Sequence, residues 1–166
     1  MDIRKIIIAT LVAATAVPAP ALAAPTDSAD ARALLLLPVS IIKTDDLDFG
    51  TVVASSTSGT VSIAADGSGQ SVTGGVTPVP SGTVSRATFS GGGTAGQEVN
   101  IFVAPPANLS DGNGHTVPIS LSLENSTITI DSTRAFAVGV GGTVTIAPKQ
   151  AEGTYTGTFM VLAQYN

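Results

Sequence analysis

The chain has 166 residues, with 12 acidic and 7 basic side chains, a net charge of −5 and 11% charged residues. That balance excludes a nucleic-acid binder, which needs a basic footprint, and argues against attachment to an anionic membrane surface. There is no cysteine, so stability has to come from packing and sheet hydrogen bonds, not from disulfides or thiolate metal sites.

Met1 to Ala23 reads as a secretory signal peptide. Arg4 and Lys5 give a positive start, and Ile6 to Val17 is an apolar run too short to span a bilayer. Pro18 and Pro20 interrupt it, and Ala21-Leu22-Ala23 is a small-x-small cleavage site. Cleavage leaves a more acidic chain from about Ala24, exported to the periplasm, the outer surface or an extracellular fibre. No membrane insertion is expected after cleavage, and there is no cysteine for a lipid anchor. What remains suits one domain.

From Ala24 onward apolar residues recur at every second position, and Gly and Pro punctuate the chain. The predicted strands, in order, are Ala31–Lys43 (interrupted by Pro38), Leu47–Ala54, Gly59–Ala65, Gly82–Ser90, Gln97–Ala104, Thr116–Glu124, Ser126–Asp131, Ala135–Ile146 and Thr154–Tyr165. Asp66 to Ser71 reads as a polar connection, and Gly141-Gly142 as a hairpin turn or a bulge. Short strands at this spacing predict an antiparallel, immunoglobulin-like β-sandwich. Val117, Ile119, Leu121 and Leu123 share one face, as do Val99, Ile101 and Val103, and such faces meet across a sandwich interior. There are 5 Phe, 2 Tyr and no Trp, so the core is aliphatic. Residues 24–37 form a leader that begins polar (APTDSADAR) and turns apolar (ALLLL), and residues 38–166 form the sandwich.

The sequence offers little for catalysis. His115 is the one histidine, so neither a zinc site nor a catalytic triad can be assembled around it. Asp45, Asp46 and Asp48 lack the spacing of a calcium loop and read as a solvated turn. The Gly-rich stretches lack the Gly-Lys-Ser/Thr ending of a phosphate loop. Asn108-Leu109-Ser110 and Asn125-Ser126-Thr127 fit the glycosylation pattern, a short match that often arises by chance. No catalytic, cofactor-binding or metal residue is assigned, and the protein is expected not to be an enzyme.

The two ends carry the functional signal. In the last strand Tyr155, Gly157, Phe159, Val161, Ala163 and Tyr165 are apolar or small at period two. A strand this apolar belongs inside a sheet, yet no later strand is present to flank it. The leader carries its own period-two apolar face, Ala31, Ala33, Leu35, Leu37, Val39 and Ile41. A surplus strand at one end and a missing one at the other suggest β-strand addition between copies. The alternative is that Ala31–Lys43 is the first strand of its own sandwich and pairs in cis.

The ending resembles the C-terminal motif of chaperone–usher pilus subunits, with Gly153 fourteenth from the end, alternating apolar residues and the penultimate Tyr165. The chain from the leader onward is also similar to a family of uncharacterised secreted bacterial proteins. These share an apolar leader, LDFGTVV (Leu47–Val53) and a Gly-x-Tyr-x-Gly-x-Phe ending, here Gly153, Tyr155, Gly157 and Phe159. The pilin resemblance implies a sandwich lacking its final strand. It also implies a periplasmic chaperone that lends a strand and a neighbouring subunit whose leader replaces it, with Tyr155, Phe159, Val161 and Tyr165 lining that contact. Two departures stand out: there is no disulfide, and Leu34–Leu37 blur the small residue expected at the exchange site. The expected function is a structural subunit of a surface fibre or coat, with other copies or related subunits as partners. A monomeric secreted or periplasmic binding module is the alternative.

Overall fold

The computed structural model describes residues 26–80 and 82–166. The expected signal peptide lies outside the described residues. Residues 26–34 form one unit, without strand, and Leu35–Asn166 a second.

The second unit is an antiparallel β-sandwich, as its alternation predicts. Its strands are β1 (Ser40–Asp45), β2 (Val52–Ile63), β3 (Gln70–Pro78), β4 (Ala87–Gly92), β5 (Glu98–Ala104), β6 (Asn108–Ser110), β7 (Thr116–Leu123), β8 (Thr127–Thr129), β9 (Ala135–Ile146) and β10 (Met160–Tyr165). The larger sheet has the order β1-β4-β9-β2-β3, with β7 also on β9 and β6 on β7. The smaller sheet has the order β10-β5-β8.

β9 organises the larger sheet. Val140 pairs with Ala87 on one side and Leu123 on the other, and Val144 pairs with Val61 and Ile119. β4 and β2 therefore occupy successive halves of one edge of β9, and β7 lines the opposite edge. Gly141-Gly142 neither turn nor bulge; the strand runs straight through them. Without a side chain at Gly141, the carbonyl of Ile63 lies against the backbone where the partner changes.

Even-numbered residues of β9 face inward all along it and meet two apolar clusters. Phe136 and Val138 join Val99, Ile101 and Ile130, where the smaller sheet covers the larger. Val144 and Ile146 join Val61, Val76 and Val117, where that sheet is absent. Of the β7 residues, Leu123 packs on the cluster that holds Val99 and Ile101, while Val117 and Ile119 pack in the other cluster. No buried side-chain polar atom among the described residues lacks a hydrogen-bond partner, as a well-formed interior requires.

Several predicted boundaries change. Val52–Ala54 and Gly59–Ile63, from two predicted strands, join in β2, which bulges between Ala54 and Gly59, while residues 47–51 stay outside it. The strand expected over Gly82–Ser90 begins at Ala87 and runs to Gly92, and that expected over Ser126–Asp131 shortens to β8. The polar connection ends early, because Gln70–Pro78 forms β3. Gly74-Gly75 underlies the bulge, where Ser58 packs on Gly74. The loop before Thr116 contains the short β6, which edges β7.

Candidate functional site

The predicted last strand divides into two parts. Regular pairing begins only at Met160, where β10 joins β5 from Met160↔Ala104 to Tyr165↔Val99. Ahead of it, Thr156 makes a single bridge to Ser110, with both backbone bonds at 2.9 Å. Gly157 explains the break: a Cβ there would lie 2.7 Å from Leu109 Cδ2, so β6 crosses where a side chain would stand. Tyr155 packs on the uncovered cluster. Its hydroxyl donates to the Ala151 carbonyl at 2.8 Å and accepts from Gln150 Nε2 at 2.9 Å. Phe159 meets Phe89 edge to face, with ring centroids 6.1 Å apart.

Val161, Ala163 and Tyr165 face the second cluster, so the odd face of β10 is the inner one. On the outer face Met160 and Leu162 are 73% and 57% exposed, and Phe102, opposite Leu162, is 49% exposed. The sequence places this strand inside a sheet; the structure places it at an edge, with β5 on one side. Among the described residues no strand pairs with its other side.

The leader also divides. Ala31 and Ala33 belong to the first unit, which has no strand among its described residues. Leu35 is 86% exposed and Leu37 46%. The Leu37 backbone is held at both ends: its N–H donates to Thr94 Oγ1 at 2.7 Å, and its carbonyl accepts from the Tyr165 hydroxyl at 2.6 Å. That hydroxyl in turn accepts from the Thr94 N–H at 2.8 Å. Pairing in cis starts after Pro38, at Ser40, and its partner is β4. Val39 and Ile41 pack on the second cluster. The predicted Ala31–Lys43 strand is therefore shorter at its start, and its final part is the first strand of its own sandwich.

The LDFG stretch forms a turn beyond β1. Asp48 exchanges backbone hydrogen bonds with Ser85 at 2.9 and 3.0 Å, and its Oδ1 accepts from the Gly50 N–H at 2.8 Å. Gly50 takes φ 74°, which glycine adopts without a steric penalty. Gln70 Nε2 donates to the Phe49 carbonyl at 2.8 Å, tying the turn to β3. Between this turn and residues 153–159 lies a cavity of about 700 Å³. Val117, Ile119, Val144 and Ile146 form its floor, Phe49 and Tyr155 face it from the two walls, and Phe159 stands where β10 begins. Asp46 and Asp48 line it too, and Asp46 is engaged by Lys43 Nζ at 2.6 Å. Among the described residues no cluster of His, Cys, Asp or Glu is placed to hold a metal ion.

Asp111 and His115 form a turn beside this region. His115 Nδ1 and Asp111 Oδ2 are 2.6 Å apart, and Asp111 Oδ1 accepts from the N–H groups of Asn113 and His115. The His115 side chain, with those two N–H groups, holds the Asp111 carboxyl below its ordinary value, against the opposing effect of burial. This is a closed local network that orders the β6–β7 connection.

The fold and site define a β-sandwich module with a strand edge that no other strand among the described residues pairs with, and a cavity with an aliphatic floor. The chain belongs to the DUF4402 family, a domain of unknown function, which matches residues 39–165. The match begins at Val39, so the leader precedes it. No curated protein and no solved structure matches the chain.

Sequence reasoning finds both motifs that wall the cavity but not that they face each other. It misses Thr94, for which a threonine in a Gly-rich turn gives no signal, and Leu109, which lies in an apparent loop. The alternation Asn108-Leu109-Ser110, with only Leu109 apolar, is too short to read as a strand.

Proposed function

We propose that this protein is a non-catalytic structural subunit of an exported bacterial fibre or coat, assembled when a strand from another copy adds to β10. The observation that carries the reading is the side of β10 that no strand among the described residues pairs with. An edge strand with apolar residues on both faces is a template for pairing, and proteins normally blunt such edges with charge, proline or a covering segment. β10 has no charged residue between Met160 and Tyr165. A donated strand supplies main-chain hydrogen bonds along that edge and side chains for the adjacent interior. A periplasmic chaperone serving the same edge before assembly fits this reading.

The test compares the mature protein with a Leu35→Asp variant and with a deletion of Ala24–Leu37, using sedimentation and negative-stain electron microscopy. Fibres or concentration-dependent oligomers are expected for the mature protein and not for either variant. Added leader peptide is expected to bind the deleted form. A mature protein that stays monomeric up to high concentration refutes the reading. The cavity favours a second reading, a monomeric binding module that takes an apolar ligand between its two motif segments; monomers that keep a bound apolar ligand through purification would establish it.

A further inference from the structure

The site where Leu37 is held and the cavity lie at opposite ends of the sandwich. Leu37 is fastened beside Thr94 and Tyr165, whereas the LDFG turn that walls the cavity pairs with Ser85. The chain from Ser85 to Thr94 is largely extended, and at about 3.3 Å per residue it sets the LDFG wall nearly 30 Å from Thr94, while the nearer end of the cavity at Phe159, which meets Phe89, lies about 16 Å away on the same scale. Leu35 stands only two residues before Leu37, a reach of about 7 Å. While Leu37 is held, a copy cannot place Leu35, Leu36 or Leu37 in its own cavity.

From this polarity we infer that the cavity between the LDFG turn and residues 153–159 receives the apolar leader run of a second copy, entering at the Phe159 end of β10. The inference rests on the strand-addition reading and adds the receiving site and the direction of assembly. The chemistry matches. The cavity floor is aliphatic, and the run offered at the far end, Leu35 to Leu37, is apolar, with Leu35 and Leu37 exposed and Leu36 half-buried. The run carries no charge, so entry past Asp46 and Asp48 strands no carboxylate against another.

The contact is heterologous: one end of each copy meets the other end of the next. Such a contact repeats without closing unless the rotation happens to form a ring, and so it builds a filament. The LDFG and Gly-x-Tyr-x-Gly-x-Phe segments then share one task, because each forms a wall of the same receptor. The free side of β10 continues from that mouth, so a leader seated in the cavity is already aligned to pair along the edge.

The chain contains no cysteine, which allows a direct test by disulfide trapping in the full mature protein. Leu35→Cys is mixed with Thr154→Cys, at the cavity rim, and separately with Gln164→Cys, on the outer face of β10 at its far end. Oxidation is expected to give mixed dimers with Thr154→Cys and none with Gln164→Cys. Trapping with Gln164→Cys alone overturns the cavity assignment and leaves strand addition standing. An internal bond in a Leu35→Cys/Thr154→Cys double variant, seen as a shifted monomer at high dilution, overturns the second copy as occupant. Absence of any trapped species, in a protein that is monomeric by mass, overturns both readings together.

Discussion

Tyr165→Phe isolates the hydroxyl that holds the leader's end. The substitution removes one oxygen and keeps the ring, so packing against the second cluster is retained. Two hydrogen bonds are lost, one donated to the Leu37 carbonyl at 2.6 Å and one accepted from the Thr94 N–H at 2.8 Å. Neither site is fully buried, so water satisfies part of what is exposed. At about 0.5–1.5 kcal/mol net for each bond, the expected loss is roughly 1–2 kcal/mol. For a domain of this length that lowers Tm by roughly 3–8 °C. Calorimetry at neutral pH measures it, and limited proteolysis adds a local readout, because cleavage near Leu35–Leu37 is expected to accelerate beyond what the Tm change explains. A Tm within about a degree of the parent, with unchanged cleavage, would show that Leu37 is not held by Tyr165. The opposite-end argument for the cavity's occupant would fall with it.

Arg86→Ala is expected to destabilise the sandwich by about 2 kcal/mol, read from denaturant midpoints. Its guanidinium donates to the Ala65 carbonyl and to Glu124 Oε2, and Glu124 also accepts from the Gly139 N–H; Arg86→Lys should recover only part of the loss, lacking the planar fork. Phe159→Asp places a carboxylate where an aromatic ring now meets Phe89, and exported protein should fall sharply; normal export would count against a packed residue 159. The carboxyls of Asp111, Asp66 and Asp131 are all held below 3.8 in the folded chain, each chiefly by local hydrogen bonds. The unfolded chain therefore binds more protons as the medium is acidified, so this stabilisation is present above about pH 4 and is lost as pH falls through the folded values. Asp111→Asn should show a smaller drop in Tm between about pH 7 and pH 3 than the parent, and an equal drop would remove Asp111 from the acid response.

Much of the sandwich is legible in the chain because the signal is local. Gln97–Ala104 and Thr116–Glu124 are recovered to within a residue at either end, since each alternates between an inner and an outer face; the bounds of Ala135–Ile146 are recovered too, although the turn or bulge expected at Gly141-Gly142 is absent. The lack of cysteine is equally a matter of sequence. So is the apolar character of both ends, because it depends only on side-chain identity and period.

Tertiary structure decided what those elements meet. Gln70–Pro78 is not among the expected strands, yet it forms β3, with Gly74-Gly75 lying beneath the bulge in β2 where side chains would not fit. Thr154 to Phe159 alternates like the strand it precedes, yet Leu109 crosses at Gly157 and ends the pairing there. The apolar last strand became an edge, and the leader's end was fastened by a threonine 57 residues away. Alternation specifies which face of a strand turns inward; it carries no information about which neighbour lies across a hydrogen-bonded edge. That choice is made by contacts between residues far apart in sequence, and it is what leaves one side of β10 open beside the cavity.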